Sequence, residues 1–324
     1  MEFKRWRRVV HVAAAVPVAL LAHTLGWGGG GDVLFLPDAA GGWTVPPGMY
    51  AGRAPTAPGT VEIRGVRTLS FDPAAVRTSR PDLFLEGNFS VFDVLVHLAE
   101  RGDIALEYVW SDAAATHEIV SLNGLSGWWY DAAYAGGEFE RPVVRMDHFP
   151  VKDGMRIRLY LDQPERLAAI EQSFREEVAR REANGGAVII PEVMIRGPRW
   201  TLVTRDVVVE PTGIRSDVFR PDAVTAFDVL LALGRDGAIS SVKLVWHDRL
   251  DDADHVDSFM VHALLGGGHE APATEGCMFA HQTGSGVIEG FLVPHDHGTP
   301  HVHLSADLEA LVSPEYVRWT WVCR

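Results

Sequence analysis

The chain has 324 residues, enough for about two domains of ordinary size, and 47% of them are hydrophobic, so it can bury substantial cores. A formal net charge of -14 at pH 7, with no basic cluster beyond the extreme N-terminus, argues against a nucleic-acid partner, because phosphates require a positive surface. The two cysteines, Cys277 and Cys323, are too few for a disulfide framework and form no Cys-x-x-Cys motif for zinc or haem.

The N-terminal segment, residues 1–27, is predicted to be a membrane anchor. Lys4-Arg-Trp-Arg-Arg8 precedes an uncharged run at residues 9–27, which at about 1.5 Å per helical residue matches the roughly 30 Å hydrocarbon core of a bilayer. A cleaved signal peptide is the alternative, although the residues around Ala22 make a poor cleavage site. Because the arginines are expected to stay in the cytoplasm, the prediction is a single-pass inner-membrane protein with its bulk in the periplasm.

A linker and a first domain are predicted to follow. Residues 28–60 are rich in Gly and Pro, which is typical of a linker. Within the domain at 61–161, apolar residues recur at helical spacing from Val91 until Gly102 ends the helix, and several short alternating segments then indicate strands. One helix among several short strands indicates the α+β class.

Residues 162–186 are predicted to form an amphipathic helix that joins two domains. Asp162 is suited to the N-cap, Pro164 to the first turn, and Asn184-Gly-Gly186 to the end of the helix. The apolar stripe is formed by Leu167, Ile170, Phe174 and Val178. The densely charged opposite face is either solvated or a surface for a partner helix.

The second domain, residues 187–324, repeats the pattern of the first. Phe92-Asp-Val-Leu95 returns as Phe227-Asp-Val-Leu230, and Glu107-Tyr-Val-Trp110 returns as Lys243-Leu-Val-Trp246. Upstream, Arg80-Pro-Asp82 aligns with Arg220-Pro-Asp222. Matches in the same order at a nearly constant offset indicate a tandem duplication of whole domains.

Several motifs of the first copy resemble small β-grasp modules related to the C-terminal domain of transcobalamin, whose bacterial members are commonly exported domains of unknown function. The resemblance is carried by Ser90-Val91-x-Asp93-x-Leu95, Asn123-Gly124, Gly127-Trp128-Trp129-Tyr130 and Asp153-Gly154. The second copy matches only through its helix. The resemblance implies an α+β fold with two β-grasp-like domains, each with one helix packed on a small mixed sheet.

Trp128, Trp129 and Tyr130 are the candidate cofactor-binding residues. They are expected to alternate on a strand, so that one ring packs in the core while its neighbour faces outward. An outward ring could stack on a tetrapyrrole-like ligand, and packing in the core is the other interpretation.

Four histidines, His295, His297, His301 and His303, are the candidate metal ligands. They lie on either side of a Gly-Thr-Pro turn, and the last two share a face if the segment is extended. Imidazole suits Zn²⁺ or Cu²⁺. The alternative is an exposed or partner-facing loop that binds no metal.

The sequence does not decide whether Cys277 and Cys323 pair, although an oxidising periplasm would permit it. It contains no motif of a familiar enzyme class. The functional prediction is a non-catalytic, membrane-anchored interaction protein, an accessory or scaffolding subunit that docks on other subunits of a membrane complex such as a respiratory or photosynthetic one. The alternative is a periplasmic module that binds a tetrapyrrole-like molecule or a transition metal.

Overall fold

The computed structural model describes residues 32–35, 53–266, 268–271, 274, 276–285 and 305–323. The described chain is mostly β, with fourteen strands and three α-helices. The helices are α1 (Val91–Glu100), α2 (Pro164–Ala183) and α3 (Ala226–Arg235). In chain order the strands are β1 (Asp32–Phe35), β2 (Gly59–Ile63), β3 (Arg67–Phe71), β4 (Leu106–Ser111), β5 (Thr116–Leu122), β6 (Trp128–Ala133), β7 (Arg156–Leu161), β8 (Val188–Arg196), β9 (Thr201–Val209), β10 (Ser241–Leu250), β11 (Ala253–Gly266), β12 (His269–Ala271), β13 (Cys277–Gly284) and β14 (Tyr316–Cys323).

The first half of the chain builds a four-stranded sheet in the order β3-β2-β7-β6. Strands β2 and β7 are parallel, whereas β3 and β6 pair antiparallel on either side of them. Val91, Leu95 and Leu98 of α1 are fully buried in one core with Val61 and Ile157 of this sheet. The β4–β5 hairpin forms a separate two-stranded sheet.

The second half repeats this arrangement in a larger sheet, ordered β1-β10-β11-β13-β14-β8-β9, with β12 paired to β11. Strands β8 and β14 are parallel, as β2 and β7 are, and β9 and β13 flank them antiparallel. The β10–β11 hairpin corresponds to β4–β5 but is joined to the sheet through β13. In addition, β1 pairs antiparallel with the outer edge of β10.

Helix α1 begins with a capping box that also holds the preceding loop. The Asp93 carboxylate is 1% exposed, and its Oδ2 accepts from Ser90 N at 2.7 Å and from Ser90 Oγ at 2.6 Å. Its Oδ1 accepts from Ser79 N at 2.6 Å. The helix ends before Gly102, which has a φ of 78°, so the predicted stop is confirmed.

Helix α3 uses the same contacts. Asp228 Oδ2 accepts from Thr225 N at 2.6 Å, and Asp228 Oδ1 accepts from Thr212 N at 3.2 Å. The helix ends before Gly237, which has a φ of 75°. The repeated Phe-Asp-Val-Leu motif therefore has a structural reason, since its Asp closes the capping box and its apolar residues enter the core.

Helix α2 is attached to the first half of the chain. Arg145 Nη1 donates to Glu177 Oε2 of the helix at 2.7 Å, and the Arg145 guanidinium lies 4.2 Å from the centroid of the Phe174 ring. Ile170 and Phe174 enter the first core. The N-cap is Gln163, with no side-chain cap, because the Asp162 carboxylate instead binds Arg166.

The predicted fold class is wrong. An α+β protein headed by a transmembrane helix was expected, whereas the described chain is mostly β. The balance shifts towards β because the second half forms long strands, among them the 14-residue strand β11.

The predicted membrane anchoring is corrected as well. The proposed span at residues 9–27 lies outside the described residues. Over the described parts of the chain, no helix combines the length and the apolar character needed to cross a bilayer. This finding stands against the single-pass inner-membrane prediction. The longest described helix, α2, has 20 residues but carries many charges.

Removal of the α1 capping carboxylate should destabilise the fold. We expect Asp93→Ala to lower the free energy of unfolding by about 3 kcal/mol, because it leaves several buried donors without an acceptor. The matched control is Asp72→Ala, since Asp72 caps only an exposed turn through Ala74 N. Denaturant unfolding followed by circular dichroism measures both, and equal losses in the two variants would refute this role of Asp93.

A disulfide joins Cys277 and Cys323, which are direct partners on the neighbouring strands β13 and β14. The sequence left this pairing open. The bond spans a sequence separation of 46 residues, so it removes considerable freedom from the unfolded chain.

Loss of this disulfide should cost about 2–5 kcal/mol of unfolding free energy, as is typical for native disulfides. The variant is the double substitution Cys277→Ser and Cys323→Ser, studied by denaturant unfolding without reductant. The wild-type protein in excess reductant is the control and should match the variant. Superimposable curves for oxidised wild type and variant would show that the bond adds no stability.

Candidate functional site

The three aromatic candidates lie in the core of the first half. Trp128, Trp129 and Tyr130 are 6%, 8% and 0% exposed, because β6 is covered on both faces. Their polar atoms donate to backbone carbonyl groups: Trp128 to Leu125 at 2.8 Å, Trp129 to Pro142 at 3.0 Å, and Tyr130 to Val144 at 2.8 Å. The structure therefore assigns these rings to packing inside the first core.

The candidate metal ligands His295, His297, His301 and His303 lie outside the described residues. Within the described ranges, no group of three or more His, Cys, Asp or Glu side chains is arranged to hold a metal ion.

A buried arginine forms the centre of the first half. Arg80 Nη2 pairs with Asp82 Oδ2 at 2.7 Å, and Nη1 pairs with Asp147 Oδ2 at 3.2 Å. The guanidinium lies 5.3 Å from the centroid of the Trp110 ring. Burial acts to lower the pKa of Arg80, but the two carboxylates outweigh it and raise the pKa above its ordinary value.

Asp147 is the most heavily hydrogen-bonded member of this cluster. Its side chain is fully buried, and it accepts from Thr116 Oγ1 at 2.5 Å and from the backbone N–H of His117 at 3.0 Å. His117 Nδ1 lies 3.0 Å from the same carboxylate. Burial alone would raise the pKa of Asp147, but these hydrogen bonds and Arg80 hold it well below its usual range.

His148 adds a neutral imidazole beside the arginine. Arg80 Nη1 lies 2.8 Å from His148 Nε2, and since a guanidinium only donates, Nε2 is the acceptor and Nδ1 carries the proton. Burial lowers the pKa of His148 to about 3. A backbone hydrogen bond with Ala115 acts in the opposite direction and raises the pKa of this ring, but burial outweighs it.

The second half contains the same centre. Arg215 Nη2 pairs with Asp217 Oδ2 at 2.8 Å, Nη1 pairs with Asp307 Oδ2 at 2.7 Å, and the guanidinium lies 5.4 Å from the Trp246 ring centroid. Asp307 also accepts from Phe259 N at 3.1 Å. The sequence comparison had aligned Asp82 with Asp222, whereas in the structure its counterpart is Asp217.

His117 corresponds to Phe259 in this alignment. The His117 ring meets Trp110 edge-on at 68°, and the Phe259 ring meets Trp246 at the same angle. A phenyl ring therefore fills this position equally well. The contact between His117 and Asp147 is an addition of the first half that the shared framework does not require.

The two halves meet about a local twofold. Leu85 N donates to Val218 O at 2.9 Å, and its counterpart Arg220 N donates to Leu83 O at 2.8 Å. The Phe84 and Phe219 rings pack with centroids 5.5 Å apart. A small apolar cluster closes the junction: Leu83, Phe84, Val218, Phe219, Leu308 and Ala310.

A cavity of about 490 Å³ lies beside this junction, between the two halves and the C-terminal part of α2. This volume is within the range of small-molecule sites, roughly 300–1,000 Å³. Arg80 and His148 form its buried polar end, whereas Asp82, Glu182 and Asp222 are exposed carboxylates on its wall. Most of the remaining wall is apolar, including Leu83, Val178, Val188, Val224, Leu311 and Val312.

A second unusual surface lies on the β4–β5 hairpin. Tyr108, Val109 and Trp110 are consecutive in β4 and are 44%, 50% and 45% exposed. Val120 of β5 is 46% exposed. Among the described strands, β4 pairs only with β5, so its other edge is open.

Sequence reasoning missed both arginine centres and both surfaces. The arginines carried a signal, since Arg80-Pro-Asp82 and Arg215-Ser-Asp217 share an Arg-x-Asp pattern followed two residues later by Phe. The cavity had no such signal, because its walls come from segments far apart in the chain.

Comparison with known proteins found no matching family model, no matching curated protein and no matching solved structure. The resemblance to transcobalamin-related modules stays a prediction.

His148 should make stability fall in acid. Its folded pKa of about 3 lies below the unfolded value, so only the unfolded chain takes up this proton as the pH falls below about 6.5. Between pH 7 and pH 4.5, wild type should lose about 3 kcal/mol more unfolding free energy than His148→Leu. Leucine is chosen because Leu308 occupies the corresponding position.

Denaturant unfolding at each pH measures this difference. NMR titration of the His148 ring in the folded protein is the independent check and should find it neutral at pH 4.5. Equal pH slopes for the two proteins, or a protonated ring at that pH, would contradict the prediction.

Proposed function

We propose that this protein is a non-catalytic interaction protein that binds an extended segment of a partner protein along the outer edge of β4. The observation that carries the proposal is the open edge of this strand with its three consecutive exposed large side chains, Tyr108, Val109 and Trp110. The bound segment would extend the hairpin by main-chain hydrogen bonds, as in β-strand addition.

Strand pairing in the second half supports the proposal, because the corresponding edge there already pairs with an added strand. Strand β10 is the counterpart of β4, and both hairpins have a bulge at the same place, between Glu107 and Tyr108 and between Lys243 and Leu244. The edge of β10 that corresponds to the open edge of β4 already holds a short strand, β1. An edge of this shape is thus compatible with pairing to an added antiparallel strand.

The composition of β4 also favours binding. Edge strands are commonly protected from pairing by charged side chains, especially Lys, by Pro or by β-bulges. Strand β9 lies at the edge of the large sheet and carries Arg205 and Asp206, the latter with a φ of 52°. In β4 the single charged residue is Glu107, and the large side chains of Tyr108, Val109 and Trp110 are all exposed.

The surface also indicates the chemistry of the partner. Main-chain hydrogen bonds supply affinity. Side chains on one face of the added segment contact Tyr108 and Trp110, and those on the opposite face contact Val109. An apolar or aromatic segment suits these contacts, and an acidic one is disfavoured by Glu107 and the net charge of -14. The role is that of an accessory subunit that docks on a larger assembly.

The test uses a synthetic peptide with the sequence of residues 31–36, which includes the strand that pairs with β10. Added to the full-length protein, it should shift the backbone amide NMR signals of residues 106–111. Val109→Lys should weaken binding at least tenfold, about 1.4 kcal/mol, because lysine disfavours edge pairing. The matched control is Val203→Lys on the edge strand β9, where the replaced valine is 46% exposed.

Equal binding by wild type and Val109→Lys would refute the proposal, as would shifts confined to β9 or β3. Loss of binding in Val203→Lys as well would show a general charge effect and would also count against a specific site on β4.

A further inference from the structure

The cavity beside Arg80 occupies a position whose counterpart beside Arg215 is filled by Lys152, a residue of the first half. The register follows from hydrogen bonds on the segment before the last strand of each half. Val151 N donates to Phe89 O at 3.0 Å, and Leu311 N donates to Val224 O at 2.8 Å. Val151 therefore corresponds to Leu311, and the next residue, Lys152, corresponds to Val312.

At a second pair of corresponding positions, an uncharged residue is again matched by a charged one. Ala115 and Asp257 occupy the same turn position, one residue before Thr116 and Ser258, and both have positive φ, 49° and 45°. Ala115 and Val312 line the cavity of the first half. The corresponding site beside Arg215 has an acidic residue, Asp257, and a basic residue, Lys152, which the first half contributes.

Lys152 shows what the corresponding place beside Arg215 accommodates. The side chain is buried, with 3% of the residue exposed. Burial lowers the pKa of Lys152 to about 8; Arg215 acts in the same direction, and Asp257, Asp217 and Asp307 oppose it. The framework thus accepts an ammonium group on an aliphatic chain among these groups, whereas the first half has an open cavity there.

The charges around the cavity favour a cation over an anion. Arg80 is already paired with Asp82 and Asp147, so it offers little net positive charge. The remaining charged wall residues are the exposed Arg181, Glu182 and Asp222. Arg181 Nε donates to Gly186 O at 3.0 Å. An anionic guest would face more carboxylates than cations.

We propose that this cavity is a binding site for an aliphatic ammonium compound, whose chain packs on the apolar wall while its charged head lies near Glu182 and Asp222. The site is separate from the β4 edge. A free small molecule suits a cavity of about 490 Å³ better than a single lysine side chain of a partner does.

The test is calorimetric titration of the full-length protein with octylammonium, octanoate and octanol, which share a chain and differ in head group. Octylammonium should bind at least tenfold more tightly than the other two. Val312→Lys places a lysine at the position that corresponds to Lys152 and should weaken octylammonium binding at least tenfold. Val178→Lys, on the α2 side of the cavity, should do the same by charge repulsion.

The matched control is Val66→Lys, because Val66 is 64% exposed and does not line the cavity. This variant should bind as wild type does. Circular dichroism and thermal unfolding establish that each variant is folded, and Val178→Lys carries the test if Val312→Lys does not fold.

A short neutral peptide with one central lysine distinguishes the two sources of an ammonium group. Binding of this peptide that is lost in Val312→Lys, without binding of octylammonium, would support the cationic site and assign it to a partner's lysine. Absence of binding by either probe, a preference for octanoate, or unchanged affinity in both cavity variants would overturn the proposal.

Discussion

A guanidinium excluded from water must be paired, and this requirement organises both halves of the molecule. Arg215 is 1% exposed and Asp307 is fully buried, so neither charge would be tolerated without the other. Removal of one member of such a pair typically costs about 3–5 kcal/mol, because the remaining charge stays buried. In each half the arginine precedes the helix, one carboxylate precedes the last strand, and the stacked tryptophan belongs to the hairpin. The buried arginine–aspartate ion pair therefore fixes the positions of the hairpin, the helix and the sheet relative to one another.

On this shared framework, the two halves differ mainly in what surrounds the arginine. His148 and His117 of the first half correspond to Leu308 and Phe259 in the second. Ala115 and Val312 beside Arg80 correspond to Asp257 and Lys152 beside Arg215. The centre of the second half is thus closed by Lys152, which the first half contributes, and β1 covers the edge of the second hairpin. The first half leaves a cavity and an open edge in the corresponding places. Both proposed binding functions arise from this asymmetry.

Helix α2 connects the two halves physically as well as in sequence. Its apolar face joins the first core and its buried Glu177 is held by Arg145, while Arg180 donates to the Ser313 carbonyl in the second half. Val178 of the same helix lines the cavity. A guest in the cavity would therefore contact both halves and the helix at once, which favours a fixed arrangement of the junction.

Local features of the sequence were enough to predict where helices α1 and α2 lie. A capping box and a terminal glycine lie within about a dozen residues of each other, so the stops of α1 and α3 were readable from the chain alone. The repeated Phe-Asp-Val-Leu motif was recognisable because the same local cap is needed twice. The tertiary structure decided the strand order, the Cys277–Cys323 bond, the burial of Trp128 and its neighbours, and the two arginine centres. These depend on which distant segments meet, as Arg80 and Asp147 do across 67 residues, and neither hydrophobic periodicity nor hydropathy over a short window contains that information.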